Sequence, residues 1–455
     1  MVYQQINQRD IITTETIAAV ATAPGYGGIG VVRVSGPLAT TVAEHLLGTI
    51  PPPRHAQLCD FFDESGVPLD HGIALFFPGP ASFTGDDVLE LQGHGGPIVL
   101  DLLLEQILQL GARLARPGEF SERAFLNGKI DLVQAEAIAD LIHAGASNAA
   151  RAAVRSLSGE FSERIHGLVE NVTRLRIHVE AAIDFPEEEI DFLADETITR
   201  AIRHITTELR EITGNAEQGR LIRDGINIVL AGKPNTGKSS LLNYLARENR
   251  AIVSDIAGTT RDTLSLEINL KGLPVHIIDT AGLRQTEDVI EKEGVRRAGE
   301  EIRKADLVLY IVEEDHLASA DQHISQFGDL TDKRVFTIVN KVDLSGVDAG
   351  YRENRFYISA KTGAGTGELV QSIHEQVGFK NEGGSAVTSR RRHIDALNRA
   401  TAHVRQGAEA LETRQAGELL AEELRLAQQA LSEITGDFTP DDLLGRIFSD
   451  FCIGK

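Results

Sequence analysis

The chain has 455 residues, of which 42% are hydrophobic and 25% charged, and a formal net charge of -22. At about 150 residues per domain this allows roughly three domains, each able to bury a core. No long uncharged apolar run exists to span a membrane, and the acidity opposes nonspecific binding to a polyanion, because phosphate recognition needs concentrated Lys and Arg.

Cys59 and Cys452 are the two cysteines and lie far apart. They can build neither a disulfide framework nor a four-ligand zinc site. The opening "MVYQQINQRDIITTET" lacks the basic and apolar parts of a signal peptide. A cytoplasmic location is the expectation.

In chain order, residues up to 129 read as mixed strand and loop, with short apolar runs such as "GVVRVSG" and "IALFFPG" between glycine-rich turns. Gly25, Gly27 and Gly30 satisfy the dinucleotide pattern G-x-G-x-x-G, but a strand rather than a helix follows, which rejects a dinucleotide site. Residues 130–223 turn helical: Ile165, Leu168, Val172, Leu175, Val179 and Ala182 step by threes and fours along one face, and Pro186 ends that helix.

From 224 to 379, apolar strands alternate with helices ("INIVLAG", "VHIIDTAG", "DLVLYIVE", "RVFTIVNK", "RFYISA"), the pattern of a doubly wound parallel sheet. Residues 380–455 return to helix, with Leu420, Leu424, Ala427, Leu431 and Ile434 on one face and a stop at Gly436. Thr439 and Pro440 then open a last helix. An α/β unit between two helical stretches suggests insertion into a helical domain. The one dense basic cluster, "SRRRH" at Ser389 to His393, reads as a solvated helix start.

Chemistry concentrates in four motifs. "GKPNTGKS", Gly232 to Ser239, follows a strand and opens a helix. Its backbone N–H groups can wrap phosphates from Asn235, Thr236 and Gly237 through Ser240, with Lys238 neutralising charge and Ser239 ligating magnesium. "DTAG" (Asp279, Thr280, Ala281, Gly282) ends another strand, where Asp279 suits the magnesium shell and Gly282 the γ-phosphate.

"NKVD" contributes Asn340, Lys341 and Asp343, whose carboxylate can accept from guanine N1 and N2; adenine offers the wrong pattern. "SAK" (Ser359, Ala360, Lys361) backs the base. Four motifs in order on strand ends make a GTPase. "SDIAGTTRD" is the first switch, containing Ser254, Asp255, Ile256, Ala257, Gly258, Thr259 and Thr260, with Thr260 as second magnesium ligand.

Leu283 stands where a Ras-like enzyme places its water-orienting glutamine. Glu287, Asp288, Glu291 and Glu293 are therefore candidates for that role, against the plainer reading of an acidic switch segment.

The tail "DFCIGK" raises a separate question. Gly454 and Lys455 occupy the places where a prenylation box needs an aliphatic residue and a small or hydrophobic end, so an anchor is not expected. Cys452 as a catalytic thiol stays open, since a thiolate attacks well only when its pKa is lowered.

"PGYGGIGVVRVSG", "SFTGDDVLELQGHGG", "RPGEFSERAFLNGKIDL", "QAEAIADLI", "AAIDFPEEEIDF" and "FCIGK", together with the nucleotide motifs, resemble the tRNA-modification GTPases of the MnmE (TrmE) family along the whole chain. The resemblance implies an N-terminal folate-binding α+β domain that also dimerises (1–129), a helical domain in two parts (130–223 and 380–455), and an inserted Ras-like P-loop G domain (224–379).

It further implies GTP hydrolysis stimulated by potassium, held by Asn235 and the carbonyls of Ser254, Ile256 and Thr259, with Glu291 orienting the water. A reduced folate (5,10-methylene- or 5-formyl-tetrahydrofolate) would meet Arg33, Glu90, Lys129 and Lys455. The implied partners are a second copy of the chain, tRNA, and the flavoprotein MnmG (GidA) carrying FAD. The implied product is an aminomethyl-type group on C5 of the wobble uridine. The rival reading is a ribosome-assembly or RNA-binding GTPase switch without modification chemistry.

Overall fold

The structure, a computed structural model, describes residues 15–184, 196–248, 265–279, 299–319, 324, 334–380, 386–437, 441–449 and 451–454. The chain divides into two compact units, one comprising Met1–Ala139, Ser156–Ile202 and Ala402–Lys455, the other Asp140–Arg155 and Arg203–Thr401.

The first unit contains a six-stranded sheet of β1 (Ile17–Val20), β2 (Gly27–Ser35), β3 (Gln57–Phe62), β4 (Pro68–Phe77), β5 (Val88–Gly95) and β6 (Arg113–Leu114), in the order β3-β4-β5-β2-β1-β6. All neighbours pair antiparallel except β1 and β6. Strand alternation sorts the two faces. Val32, Val34, Ala74, Phe76, Leu89 and Leu91 turn to a core shared with Val42 and Leu46 of the helix Ala39–Leu47 and with Leu103 and Ile107 of the helix Pro97–Gln109. The opposite face carries Arg33 and Glu90, which are direct cross-strand partners.

The helical part of this unit forms where two distant segments meet. The helix Glu160–Asp184 packs along Gly417–Thr435. Ile165, Leu168, Val172, Leu175, Val179 and Ala182 on one helix, and Leu420, Leu424, Ala427, Leu431 and Ile434 on the other, are all buried. Each stripe hides its apolar face against the other, which neither helix could do alone. Gly436 ends the second helix at φ 97, and a Cβ there would lie 2.7 Å from the Phe125 ring. Pro186, Thr439 and Pro440 lie outside the described residues.

The second unit holds β7 (Ile226–Ala231), β8 (Ser265–Leu270), β9 (Leu273–Asp279), β10 (Leu307–Glu313), β11 (Val335–Asn340), β12 (Gly350–Arg352) and β13 (Arg355–Tyr357), in the order β12-β13-β11-β10-β7-β9-β8. The five inner strands run parallel; the edge strands β8 and β12 are antiparallel.

Both faces of this sheet are covered. Ile228, Leu230, Ile277 and Ile311 join Leu241, Leu245, Leu369 and Ile373 from the helices Lys238–Glu248 and Thr366–Val377. Val229, Ala231, Val308, Tyr310 and Val339 pack on Ile302 from the other side. The sheet is therefore doubly wound, and its parallel strands read as continuous apolar runs because both faces are buried.

The basic cluster departs from the solvated reading. A helix does begin at Arg391, but the Ser389 hydroxyl donates to the carbonyl of Ala216, Arg390 pairs with Asp140 at 3.0 Å, and His393 is buried. Asp140 also takes Arg223 at 2.7 Å, so one shielded carboxylate ties two helices through two guanidinium groups. Arg390 thus serves packing, while Arg391 stays exposed at the helix start as the run suggested.

Candidate functional site

In the second unit, the loop between β7 and the helix Lys238–Glu248 closes around the Lys238 ammonium, which donates to the carbonyls of Gly232 at 2.9 Å and Lys233 at 2.7 Å. Asn235 takes a positive φ of 64, and Gly237 one of 96. Gly237 also has no room for a side chain, since a Cβ would sit 2.1 Å from the Asn340 amide nitrogen. That close approach lets Asn340 tie the motifs together. Its amide donates to the Thr236 carbonyl at 2.9 Å and its side-chain oxygen accepts the Ala360 N–H at 2.9 Å.

The Ser359 hydroxyl donates to Asp343 Oδ1 at 2.6 Å, which leaves the other carboxylate oxygen for a further donor pair. Lys341, at φ 69, reaches Glu313. Ser240, Asp343, Ala360 and Lys361 line a cavity of about 430 Å³ here, together with Asn243, Tyr244 and Arg247 from the helix. Those three helix residues belong to no motif, and only the fold brings them in.

Ser239 Oγ lies 3.4 Å from Asp279 Oδ2. A hydroxyl and a carboxylate at the head of a phosphate-wrapping loop form the hard oxygen donor set that magnesium takes, with waters and phosphates completing the shell. Ser254 to Thr260, Thr280 to Gly282 and Glu291 lie outside the described residues.

In the first unit, Arg33 and Glu90 form a two-bonded pair, Nε to Oε1 at 2.9 Å and the terminal nitrogen at 2.7 Å, with side chains 20% and 16% exposed. Gln92 donates to the other Glu90 oxygen at 3.4 Å. The Arg33 guanidinium carbon stands 6.0 Å from the Phe83 ring centroid and 5.7 Å from that of Phe120, distances at which ring faces attract a cation. Lys129 donates to the Pro80 carbonyl at 2.8 Å, at the start of the loop that carries Phe83.

The tail comes to this pair. Phe448 and Phe451 pack beside Phe125, Gly118 donates its N–H to the Cys452 carbonyl at 3.3 Å, and Arg33 reaches the Gly454 carbonyl at 3.4 Å. Gly454 sits at φ 93, and a Cβ on it would lie 2.5 Å from the Val20 carbonyl. Only glycine allows the tail this close. Cys452 is exposed, and Lys455 lies outside the described residues.

The family model described as the TrmE N-terminus of GTP-binding proteins matches residues 16–129, and the one described as the MnmE helical domain matches 132–452. The chain is 55% identical over 454 residues to the tRNA modification GTPase MnmE of Shewanella pealeana, covering 98% of this chain and all of that one. The Vibrio cholerae protein of the same name matches at the same identity and coverage. The chain belongs to the MnmE family of tRNA modification GTPases.

Its nucleotide half is the P-loop GTPase unit of that family, and its sheet of β1 to β6 falls within the matched N-terminal region. Among solved structures, a chain of Era from Aquifex aeolicus is 24% identical, covering 39% of this chain and 66% of its own, with a TM-score of 0.27. No helix among the described residues is long and apolar enough to cross a membrane.

Proposed function

We propose that the chain is a dimeric, potassium-stimulated GTPase whose cycle is coupled to a folate-derived aminomethyl or carboxymethylaminomethyl modification of C5 in the tRNA wobble uridine. The flavoprotein MnmG (GidA), carrying FAD, is the partner. The observation that carries this reading is the meeting of the C-terminal tail, at Gly454, with the Arg33–Glu90 pair, in a chain that also holds the complete set of nucleotide motifs.

The proposed domains are 1–129 for folate and dimerisation, 224–379 for GTP, and a helical domain of 130–223 with 380–455. Asn235 to Ser240, Ser254 to Thr260, Asp279 to Gly282, Asn340, Lys341, Asp343 and Ser359 to Lys361 bind GTP. Ser239 and Thr260 hold magnesium, which screens the phosphate charge. Asn235 and the carbonyls of Ser254, Ile256 and Thr259 hold potassium, which supplies the positive charge that an arginine finger gives other GTPases. Glu291 orients the attacking water.

For the folate, Glu90 matches the donor edge of an amino-pteridine, and Arg33, Lys129 and Lys455 match its carbonyl and carboxylate groups. Dimerisation is supported by Tyr26, Ile29 and Ile98, 96%, 69% and 72% exposed, at the start of β2 and, beside it, the start of the helix Pro97–Gln109 that follows β5; surface this apolar favours a protein partner.

Exchanging potassium for sodium at fixed ionic strength is expected to lower steady-state GTP turnover by more than about tenfold, because the charge stabilising the transition state is lost. Turnover equal in the two salts contradicts the cation role.

A further inference from the structure

Part of the base cavity comes from outside the motifs. Tyr244 stands on the helix Lys238–Glu248, about 9 Å along its axis from the phosphate-loop lysine, and lines the same cavity as Asp343 and Lys361. Its ring is half-buried and packs against the core of the sheet. The outer end of the ring meets Gly363, where a Cβ would lie 2.1 Å from the Tyr244 hydroxyl oxygen and 2.5 and 2.7 Å from two ring carbons. Gly363 also takes a φ of 83, so the backbone and the ring both demand glycine.

From Gly363 a short chain of bonds leads to the carboxylate assigned to the base. The Gly363 N–H donates to the Ser359 carbonyl at 2.8 Å, and the Thr362 N–H donates to the Ser359 hydroxyl at 3.2 Å. With its oxygen accepting there, that hydroxyl turns its one hydrogen to Asp343 Oδ1 at 2.6 Å. The Ser359 N–H closes the loop on the Ala364 carbonyl at 3.0 Å, and Thr366 bonds the Gly363 carbonyl through its N–H at 3.2 Å and its hydroxyl at 2.7 Å. A loop bonded to itself this fully is stiff, and a push at Gly363 reaches Ser359.

The near end of the loop is fixed separately, because Asn340 accepts the Ala360 N–H at 2.9 Å while its amide holds the Thr236 carbonyl at 2.9 Å. Asn340 anchors the start of the loop; Tyr244 braces its turn.

We propose that Tyr244 is a positioning residue for guanine recognition: its ring, carried on the phosphate-binding helix, holds Gly363 and through Ser359 sets where the Asp343 carboxylate meets the base. This rests on the reading of Asp343 as the guanine-binding carboxylate, and it adds a residue that no nucleotide motif contains. The plainer alternative is that Tyr244 only fills space against the sheet. The two differ in what they do to selectivity.

Inosine nucleotides separate them, since inosine lacks the 2-amino group and makes one bond fewer to Asp343. The ratio of GTP to ITP affinity therefore reads the carboxylate's position, whereas lost packing alone weakens both ligands alike. The test is equilibrium binding of GTP and ITP to the full-length protein and to Y244F, Y244L and G363A. The native protein is expected to prefer GTP by at least about tenfold, the scale of one charge-assisted hydrogen bond. Y244F keeps the ring against Gly363 and is expected to keep that ratio. Y244L keeps apolar packing but is too short to reach Gly363, so it is expected to lose about tenfold in GTP affinity and at most about twofold in ITP affinity. G363A drives a Cβ into the ring from the loop side and is expected to lower the ratio in the same way. A ratio unchanged in Y244L, whether both affinities hold or fall together, overturns the inference and leaves Tyr244 a packing residue. Should Y244L not fold, an unchanged ratio in G363A overturns it equally. Native protein with no preference for GTP over ITP overturns the base-site reading of Asp343 instead.

Discussion

Asp343→Asn is expected to convert the nucleotide preference from guanine toward xanthine. In the proposed base site the carboxylate accepts from guanine N1 and N2, and an asparagine amide cannot accept at both positions. Two charge-assisted hydrogen bonds at about 1.5–3 kcal/mol each amount to roughly 10²- to 10⁴-fold in GTP affinity.

Xanthine carries a carbonyl where guanine has its 2-amino group, so the asparagine NH₂ gains an acceptor while its oxygen still takes N1–H. The supporting frame should survive. The Ser359 hydroxyl that donates to Asp343 Oδ1 finds an acceptor in the amide oxygen as well, and Asn340 keeps its own bonds to Thr236 and Ala360. Titration with labelled GTP and XTP decides the matter: retained GTP affinity without gain for XTP removes Asp343 from base recognition.

The second large effect concerns stability. Glu119 and Arg123 are both fully buried in the first unit. Glu119 meets Arg113 at 2.6 Å and Arg123 at 3.4 Å and accepts the Arg116 N–H at 2.8 Å, while Arg123 also reaches the Glu15 carbonyl at 2.8 Å and Asp86 at 3.4 Å. Glu119→Ala would strand the guanidinium in the interior, a change that costs about 3–5 kcal/mol when one partner of a buried pair is removed.

The same carboxylate sets a pH dependence. Burial pushes its pKa up, but the bonds from Arg113 and from the Arg116 backbone win, and it falls from 4.5 to about 2. A depressed folded-state pKa gives stability that is complete above pH 4.5 and is lost as pH falls toward 2. Urea unfolding of the full chain between pH 7 and 3 should show the first unit's transition weakening in the native protein and already weakened, with a flatter pH response, in the alanine variant. An unchanged transition in Glu119→Ala would mean that Arg123 finds other compensation.

The contrast between these two sites explains what the sequence could reveal. The nucleotide motifs are local: a strand end, a turn and a helix start are fixed by neighbouring residues, so Lys238, Asn340 and Asp343 could be placed from order and spacing alone. The helix stripes were legible for a similar reason, since a period of threes and fours marks one face whatever lies opposite. What lay opposite was not legible. Nothing in Ile165 to Ala182 names Leu420 to Ile434 as its partner, and that pairing closes only across the length of the chain.

Charged side chains misled most. Arg390 sits in a run that reads as solvated, yet it is drawn inward by Asp140, a partner distant in sequence. Glu119 and Arg123 lie in a helix whose sequence, "EFSERAFL", looks half-exposed. The edge strands β8 and β12 also escaped notice because a short antiparallel edge adds no alternation of strand with helix. Gln92 joins Glu90 on the open face through cross-strand register, which no single-chain pattern specifies.

The most direct test of the central claim is nucleoside analysis of bulk tRNA from cells lacking this protein. Loss of the C5-modified wobble uridine, restored by the native chain but not by Asp343→Asn, is the predicted result. An unchanged nucleoside profile, with a defect in ribosome assembly instead, would contradict it.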